Sequence, residues 1–187
     1  MMKGLQQKIL MTAAIFSLGI AAAASTGNST PSSDADISKK LVHEIRMYDR
    51  YTIWDNINVQ VHEGNVELSG QVVQPFKKND LGRIAKAVPG VLSVTNNLEV
   101  LPLSPMDDQL RFRVARAVYS DPVLSRYGMG ALPSIHVIVD NGKVTLEGVV
   151  ANQTDKNIAG IRASGAGLSF GPVVNNLRVE NPSPKKG

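Results

Sequence analysis

The chain repeats itself once, and that repeat restricts the fold more than any single motif. Val66-Glu67-Leu68-Ser69-Gly70 returns as Val144-Thr145-Leu146-Glu147-Gly148. Alternating apolar residues precede each segment: Ile57, Val59 and Val61 in the first copy, Ile135, Val137 and Val139 in the second. Each copy closes on a related stretch, Val94 to Val100 and Val173 to Val179, both containing Asn-Asn-Leu. The offset between copies is 73 residues in the first helix, 78 at the hairpin and 79 in the last strand. Two loops have therefore grown while the elements kept their lengths. Features that recur are architectural; features that differ are candidates for function.

Read with the two periodicities, each copy has the order αββαβ. In the first, Ser33 caps a helix with Asp36 at N3, and Ile37, Leu41 and Ile45 mark its buried side. A hairpin turns at Glu63-Gly64. Pro75 opens a second helix with the apolar stripe Phe76, Leu81, Ile84, Ala85 and Val88, and Pro89-Gly90 ends it. In the second copy Ser104 is the N-cap, Pro105 is N1 and Asp107 is N3, and capping accounts for Asp107 and Asp108. Asn141-Gly142 is a strong hairpin signal. The second helix there, about 152 to 164, is interrupted by Gly160. Strand alternation leaves one apolar face per sheet, so both helices of a repeat belong on that face. The expected fold class is α+β: two tandem αββαβ repeats, each a small three-stranded sheet with two helices on one face.

The expected domain layout follows. Residues 1–24 read as a signal peptide: Lys3 and Lys8 precede an apolar run, and Ala22-Ala23-Ala24 suits cleavage before Ser25. An uncleaved anchor is the alternative. Residues 25–33 form a Ser/Thr/Gly/Pro linker expected to be flexible. Repeat one spans 34–101, a linker and helix cap 102–107, repeat two 108–180, and a flexible tail 181–187. Export implies the periplasm. With no Cys in the chain, disulfides and an N-terminal lipid-bearing cysteine are both excluded. The oligomeric state is open.

Charge argues against a nucleic-acid partner. The formal net charge is +4, and Lys3 and Lys8 lie in the leader. Residues 36–101 carry eight basic and eight acidic side chains, with no concentrated basic face. Catalytic signatures are missing as well: no Gly-x-Ser-x-Gly, no phosphate loop and no Cys nucleophile. No catalytic residue, metal ligand or cofactor is therefore assigned. His43, His62 and His136 have no metal-ligand spacing and are expected to face solvent.

The recurring glycines read as backbone devices. Gly64 and Gly142, the latter with Asn141, make the turns; Gly70 and Gly148 mark a close approach or a bulge in the second strand. Tandem asparagines, Asn96/Asn97 and Asn175/Asn176, need a side-chain role because Asn is poor in strands; bonding to loop backbone at the strand start is expected, and a shared ligand contact is the alternative.

The αββαβ order, the Val-x-Leu-x-Gly hairpin arm, the Pro-Gly-Val after the second helix and the Val-x-Asn-x-Leu-x-Val ending together resemble the BON domain. That family is named for bacterial osmotic-stress and nodulation proteins. Repeat one fits closely, whereas repeat two departs at its second helix. The resemblance implies a non-catalytic envelope protein. Relatives include osmotically induced periplasmic proteins with chaperone-like roles and tandem-domain lipoproteins that bind anionic phospholipid.

The two copies differ most in their first helices. With Leu110, Val114 and Val118 buried, Phe112 and Tyr119 point outward, Arg116 lies beside them and Arg113 at the flank. The matching positions in repeat one, Lys39, His43 and Arg46, are polar. Aromatics flanked by arginine suit anionic phospholipid at a membrane surface, or an envelope protein. Packing against repeat one is the competing explanation. The insertion between Tyr119 and Ser134 carries Val123, Leu124, Tyr127, Met129 and Leu132 and is expected to extend the same apolar surface.

Overall fold

The computed structural model describes residues 32–130, 132–167 and 169–180. The expected leader, most of the first linker and the tail lie outside the described residues. Repeat one consists of α1 (Asp34–Met47), β1 (Asn56–His62), β2 (Asn65–Val72), α2 (Pro75–Ala87) and β3 (Ser93–Val100). Repeat two consists of α3 (Pro105–Tyr119), β4 (Ile135–Asp140), β5 (Lys143–Val150), α4 (Gln153–Gly165), β6 (Val174–Asn175) and β7 (Arg178–Val179). In both, an antiparallel hairpin is followed by a helix and a return strand parallel to the hairpin's second arm. The third strand of repeat two survives as two short stretches, both beside β5. Helix α3 starts at Pro105, directly after its expected cap: Ser104 Oγ accepts the Asp107 N–H and sets the first turn.

Each repeat has its own core. Ile37, Leu41, Leu68, Val72, Leu81 and Leu98 fill the first, and Val114, Val118, Ile135, Val137, Leu146 and Leu177 the second. Fully burying one such side chain is worth about 1.5–3 kcal/mol. Phe76 belongs to neither core: it lies at the surface under Arg50, whose guanidinium carbon is 5.1 Å from the ring centroid. Lys77 takes the buried place beside it.

Shared polar devices lock the helices to the sheets. The Asp34 carboxylate accepts the turn N–H groups of Glu63 and Gly64, at 2.7 and 2.9 Å. Asp107 does the same for Asn141 and Gly142, at 3.0 and 2.8 Å. Asp107 was expected to serve only its own helix start, and Asp34 was not singled out in sequence; both cap the hairpins. Asn96 Nδ2 donates to the Lys78 carbonyl at 2.7 Å, and Asn175 Nδ2 to the Lys156 carbonyl at 2.7 Å. The asparagines thus bind the return strand to the helix above it, not to a neighbouring loop. Their side chains need room, and Gly82 and Gly160 supply it: an added Cβ would stand 2.9 and 2.8 Å from these amide nitrogens. Gly160 therefore belongs to the architecture and does not break α4.

A third device recurs with its charges exchanged. Lys77, at the start of α2, donates to the fully buried Asp55 carboxylate at 2.6 Å. At the same position of α4 stands Asp155, which pairs with Arg126 and accepts from the Tyr127 hydroxyl. Burial would raise the Asp155 pKa, but the hydrogen bonds from Tyr127 and Arg126 hold it below the usual carboxylate value. Both arrangements anchor the second helix to the loop that precedes the hairpin.

That loop also joins the repeats. Asp55 accepts from Thr52 N, Thr52 Oγ1 and Val73 N, at 2.9, 2.8 and 3.0 Å, so its position is strongly fixed. The Ile53 carbonyl, held beside it, accepts the Val137 N–H of edge strand β4 at 2.8 Å. Tyr51 stacks on His136 with ring centroids 5.5 Å apart. His136 is thus buried, contrary to the solvent-facing position expected of it, because repeat one covers the outer face of β4. His43 and His62 are exposed as expected.

Candidate functional site

The surface singled out by the difference between repeats is the outer side of α3. Leu110, Val114 and Val118 face the core, so helical geometry turns Phe112, Arg113 and Arg116 outward. Phe112 is 66 % exposed, an unusual exposure for so large an apolar side chain. Arg113 and Arg116 are exposed too and have no ion-pair partner among the described residues. Arg111, on the same helix, is buried: it donates to the Val139 carbonyl at 2.7 Å and pairs with Asp108. Only the first two arginines remain available to a partner.

Tyr119 sits differently. Its ring is half-buried beneath the 3-10 turn Ser125–Gly128, and its hydroxyl donates to the Ile135 carbonyl. Burial pushes its pKa up to about 12. The ring lines the groove, but its polar end is committed to repeat two. The insertion also turns inward more than expected. Leu124 is fully buried, and the Tyr127 hydroxyl accepts the Ala151 N–H at 2.9 Å. Met129, at 80 % exposure, and Val123 stay outside.

Repeat one adds two residues that comparing the copies does not reveal. Ile53 and Trp54 close the groove opposite Phe112, Arg116 and Tyr119. The Trp54 ring meets Phe112 edge-on, with centroids 5.4 Å apart and planes at 72°. Contact with repeat one and exposure to solvent therefore coexist at Phe112. The available signal was the chain's single Trp, standing just before the loop's buried acid. Repeat two has Leu132 at the matching place, a difference between the copies that lies in a loop and not in the first helices, where the contrast was sought.

The expected turn residues occupy the places assigned to them. Asn141 and Gly142 have φ of 49° and 76°, which a two-residue hairpin turn requires; Gly64 has the same role in repeat one. Gly148 marks a close approach: a Cβ there would stand 2.0 Å from the Ser134 carbonyl oxygen. Gly70 repeats this against Asn56. Among the described residues, no group of three or more His, Cys, Asp or Glu side chains is placed to hold a metal. Nor is any helix there long and apolar enough to cross a membrane.

The family model described as the BON domain matches residues 33–102 and again 107–181. No curated protein matches the chain. Among solved structures, the chain is similar to CdsD, a structural protein of the type III secretion system of Chlamydia trachomatis, at 15% identity and a TM-score of 0.31. That similarity covers 75% of this chain and 61% of CdsD, so the chain spans under two thirds of that protein's length. The C-terminal domain of CdsD is matched at 14% identity and a TM-score of 0.26, over 75% of this chain and 98% of that one.

Proposed function

The chain belongs to the BON-domain family, and from that premise we propose that it is a non-catalytic binding protein of the bacterial envelope whose α3 surface engages anionic phospholipid. The family is envelope-associated, phospholipid-binding and generally without catalytic activity. Our reading adds the place, the polarity and the compartment: the outer side of α3, an anionic headgroup, and the periplasm after removal of residues 1–24. Envelope maintenance under osmotic stress is the setting this reading assigns.

One observation carries the proposal. Phe112 stands exposed beside Trp54, with Arg113 and Arg116 unpaired around it. Two apolar rings can enter the boundary between headgroups and acyl chains while guanidinium groups meet phosphates. Each basic residue near a charged membrane contributes about 1 kcal/mol, a term that salt screens. Repeat one, with Lys39 and His43 at the corresponding positions, carries charge without the ring.

The experiment is co-sedimentation of the mature chain with phosphatidylglycerol vesicles and with phosphatidylcholine vesicles over a range of salt. Binding to the anionic vesicles alone, weakening as salt rises, is the expected result. Equal binding to both lipids, or none, would overturn the assignment. Suppressed aggregation of an unfolded outer-membrane protein, with no preference for the anionic lipid, would identify a chaperone instead.

A further inference from the structure

A second place in the molecule has the makings of a site, and it lies away from α3. Where repeat one docks on β4, a cleft of about 300 Å³ remains between the repeats. That is at the lower end of the range for small-molecule sites. Arg46, from the last turn of α1, lines one wall, and Arg178, from β7, lines the other. Neither has an ion-pair partner among the described residues, although five other basic side chains do. Glu147 is the only carboxylate in the lining, and it accepts from Asn176 Nδ2 at 2.7 Å.

His136 belongs to the same cleft: it is among the lining side chains and is 8 % exposed. Its ring stacks on Tyr51 of repeat one, and Glu147 is its partner across the strands. The rest of the lining is mixed: Val42, Ile57 and Val149 make an apolar wall, and Asn56, Asn58 and Ser134 add polar groups.

We propose that this cleft binds a small phosphate ester, its phosphate held between Arg46 and Arg178 and its carbon portion against the apolar wall. Guanidinium groups pair well with both carboxylate and phosphate. A phosphate monoester offers two guanidinium groups three terminal oxygens and up to two negative charges, where a carboxylate offers two oxygens and one charge. The volume limits the carbon portion to roughly the size of glycerol. Such a group comes either as a free phosphate ester or as the headgroup of a lipid.

The test uses the chain's three histidines as built-in reporters. The full chain is titrated with glycerol phosphate while the imidazole resonances are followed by NMR, with glycerol as the control. The His136 signals should shift saturably, and those of the exposed His43 and His62 should not. Arg46→Ala/Arg178→Ala should melt like the parent, because both side chains are exposed, and should weaken binding by about tenfold per arginine, the scale of a charge-assisted hydrogen bond. Phosphatidylglycerol vesicles separate the two sources. If the double variant also loses vesicle binding, the ligand is a lipid headgroup; if vesicle binding is unchanged, it is a free ester. A Phe112→Ala/Arg116→Ala protein should respond to glycerol phosphate as the parent does, so failure of the α3 surface would leave this site standing. Absence of a saturable His136 shift, or a shift that persists in Arg46→Ala/Arg178→Ala, would overturn the proposal.

Discussion

At position 142 the chain needs both a positive φ and empty space over the α-carbon. Gly142 has φ 76°, and a Cβ there would stand 2.1 Å from the Phe170 ring. Gly142→Val should therefore destabilise repeat two by several kcal/mol, combining backbone strain with overpacking. Lys143→Val, one residue later in an exposed strand position, should change stability by under about 1 kcal/mol. Equal shifts in melting temperature would contradict the turn geometry. The Lys77–Asp55 pair makes the second residue-scale prediction. Lys77→Ala leaves a carboxylate with no accessible surface and without its cation, at a cost of about 3–5 kcal/mol. Lys86→Ala on the exposed side of α2 should cost under about 0.5 kcal/mol by denaturant titration. The turn glycines were legible because the copies repeat them. The ion pair was not, because its charges are exchanged between copies, and matching residues by type misses Lys77 against Asp155.

Among the elements, α2 and α4 are held by an unusual bargain between a helical glycine and a strand asparagine. Replacing an exposed helix-interior Gly with Ala normally stabilises by about 1 kcal/mol. Here Gly82→Ala should destabilise, because its Cβ would displace Asn96 from the Lys78 carbonyl. In an Asn96→Ala background the same change should recover its usual gain, and the difference between backgrounds measures the coupling. A stabilising Gly82→Ala in the parent would show the contact to be slack. Helix and strand order was readable from periodicity, and α1 and α3 begin at their expected caps, Ser33 and Ser104. What periodicity cannot reveal is which polar side chain reaches across layers. Asp107 looks like a helix-capping acid in sequence and caps a hairpin in space, as Asp34 does in repeat one. The inward turn of Leu124 and Tyr127 was hidden for the same reason: an apolar insertion reads alike whether it covers a core or extends a surface.

At the scale of the whole molecule, docking of the two repeats places a histidine where protonation is penalised. Burial depresses the His136 pKa below its ordinary value, and backbone hydrogen bonding at Asp55, the Asp55 charge and backbone hydrogen bonding at Thr52 oppose this only in part. Tyr51 covers the ring and is itself pushed up to about 12 by burial. Below pH 6.5 the unfolded chain binds a proton that the folded chain resists, so stability falls as pH drops through that value toward the lower folded pKa. The carboxylates held below the usual carboxylate range, such as Asp34 and Asp121, lose their contribution only at lower pH, as they are protonated in turn. Melting between pH 7 and 5 should therefore show a loss that His136→Phe abolishes; an unchanged slope in that variant would contradict the buried imidazole. None of this contact was visible in sequence, because strand alternation assigns β4 one wet face and says nothing of what a neighbouring repeat lays on it. The candidate surface was half legible. Phe112, Arg113 and Arg116 stood out against their polar counterparts, whereas Trp54 is far away in sequence and enters only through docking. Vesicle binding by Phe112→Ala/Arg116→Ala tests that surface most directly. Losing one ring and one charge removes about 3 kcal/mol, so affinity for phosphatidylglycerol vesicles should fall roughly a hundredfold. Lys39→Ala/His43→Ala, the matching change in repeat one, should do much less. A folded Phe112→Ala/Arg116→Ala protein that lowers only the melting temperature, while binding the vesicles at parental strength, would assign Phe112 to packing between the repeats and contradict the proposed site.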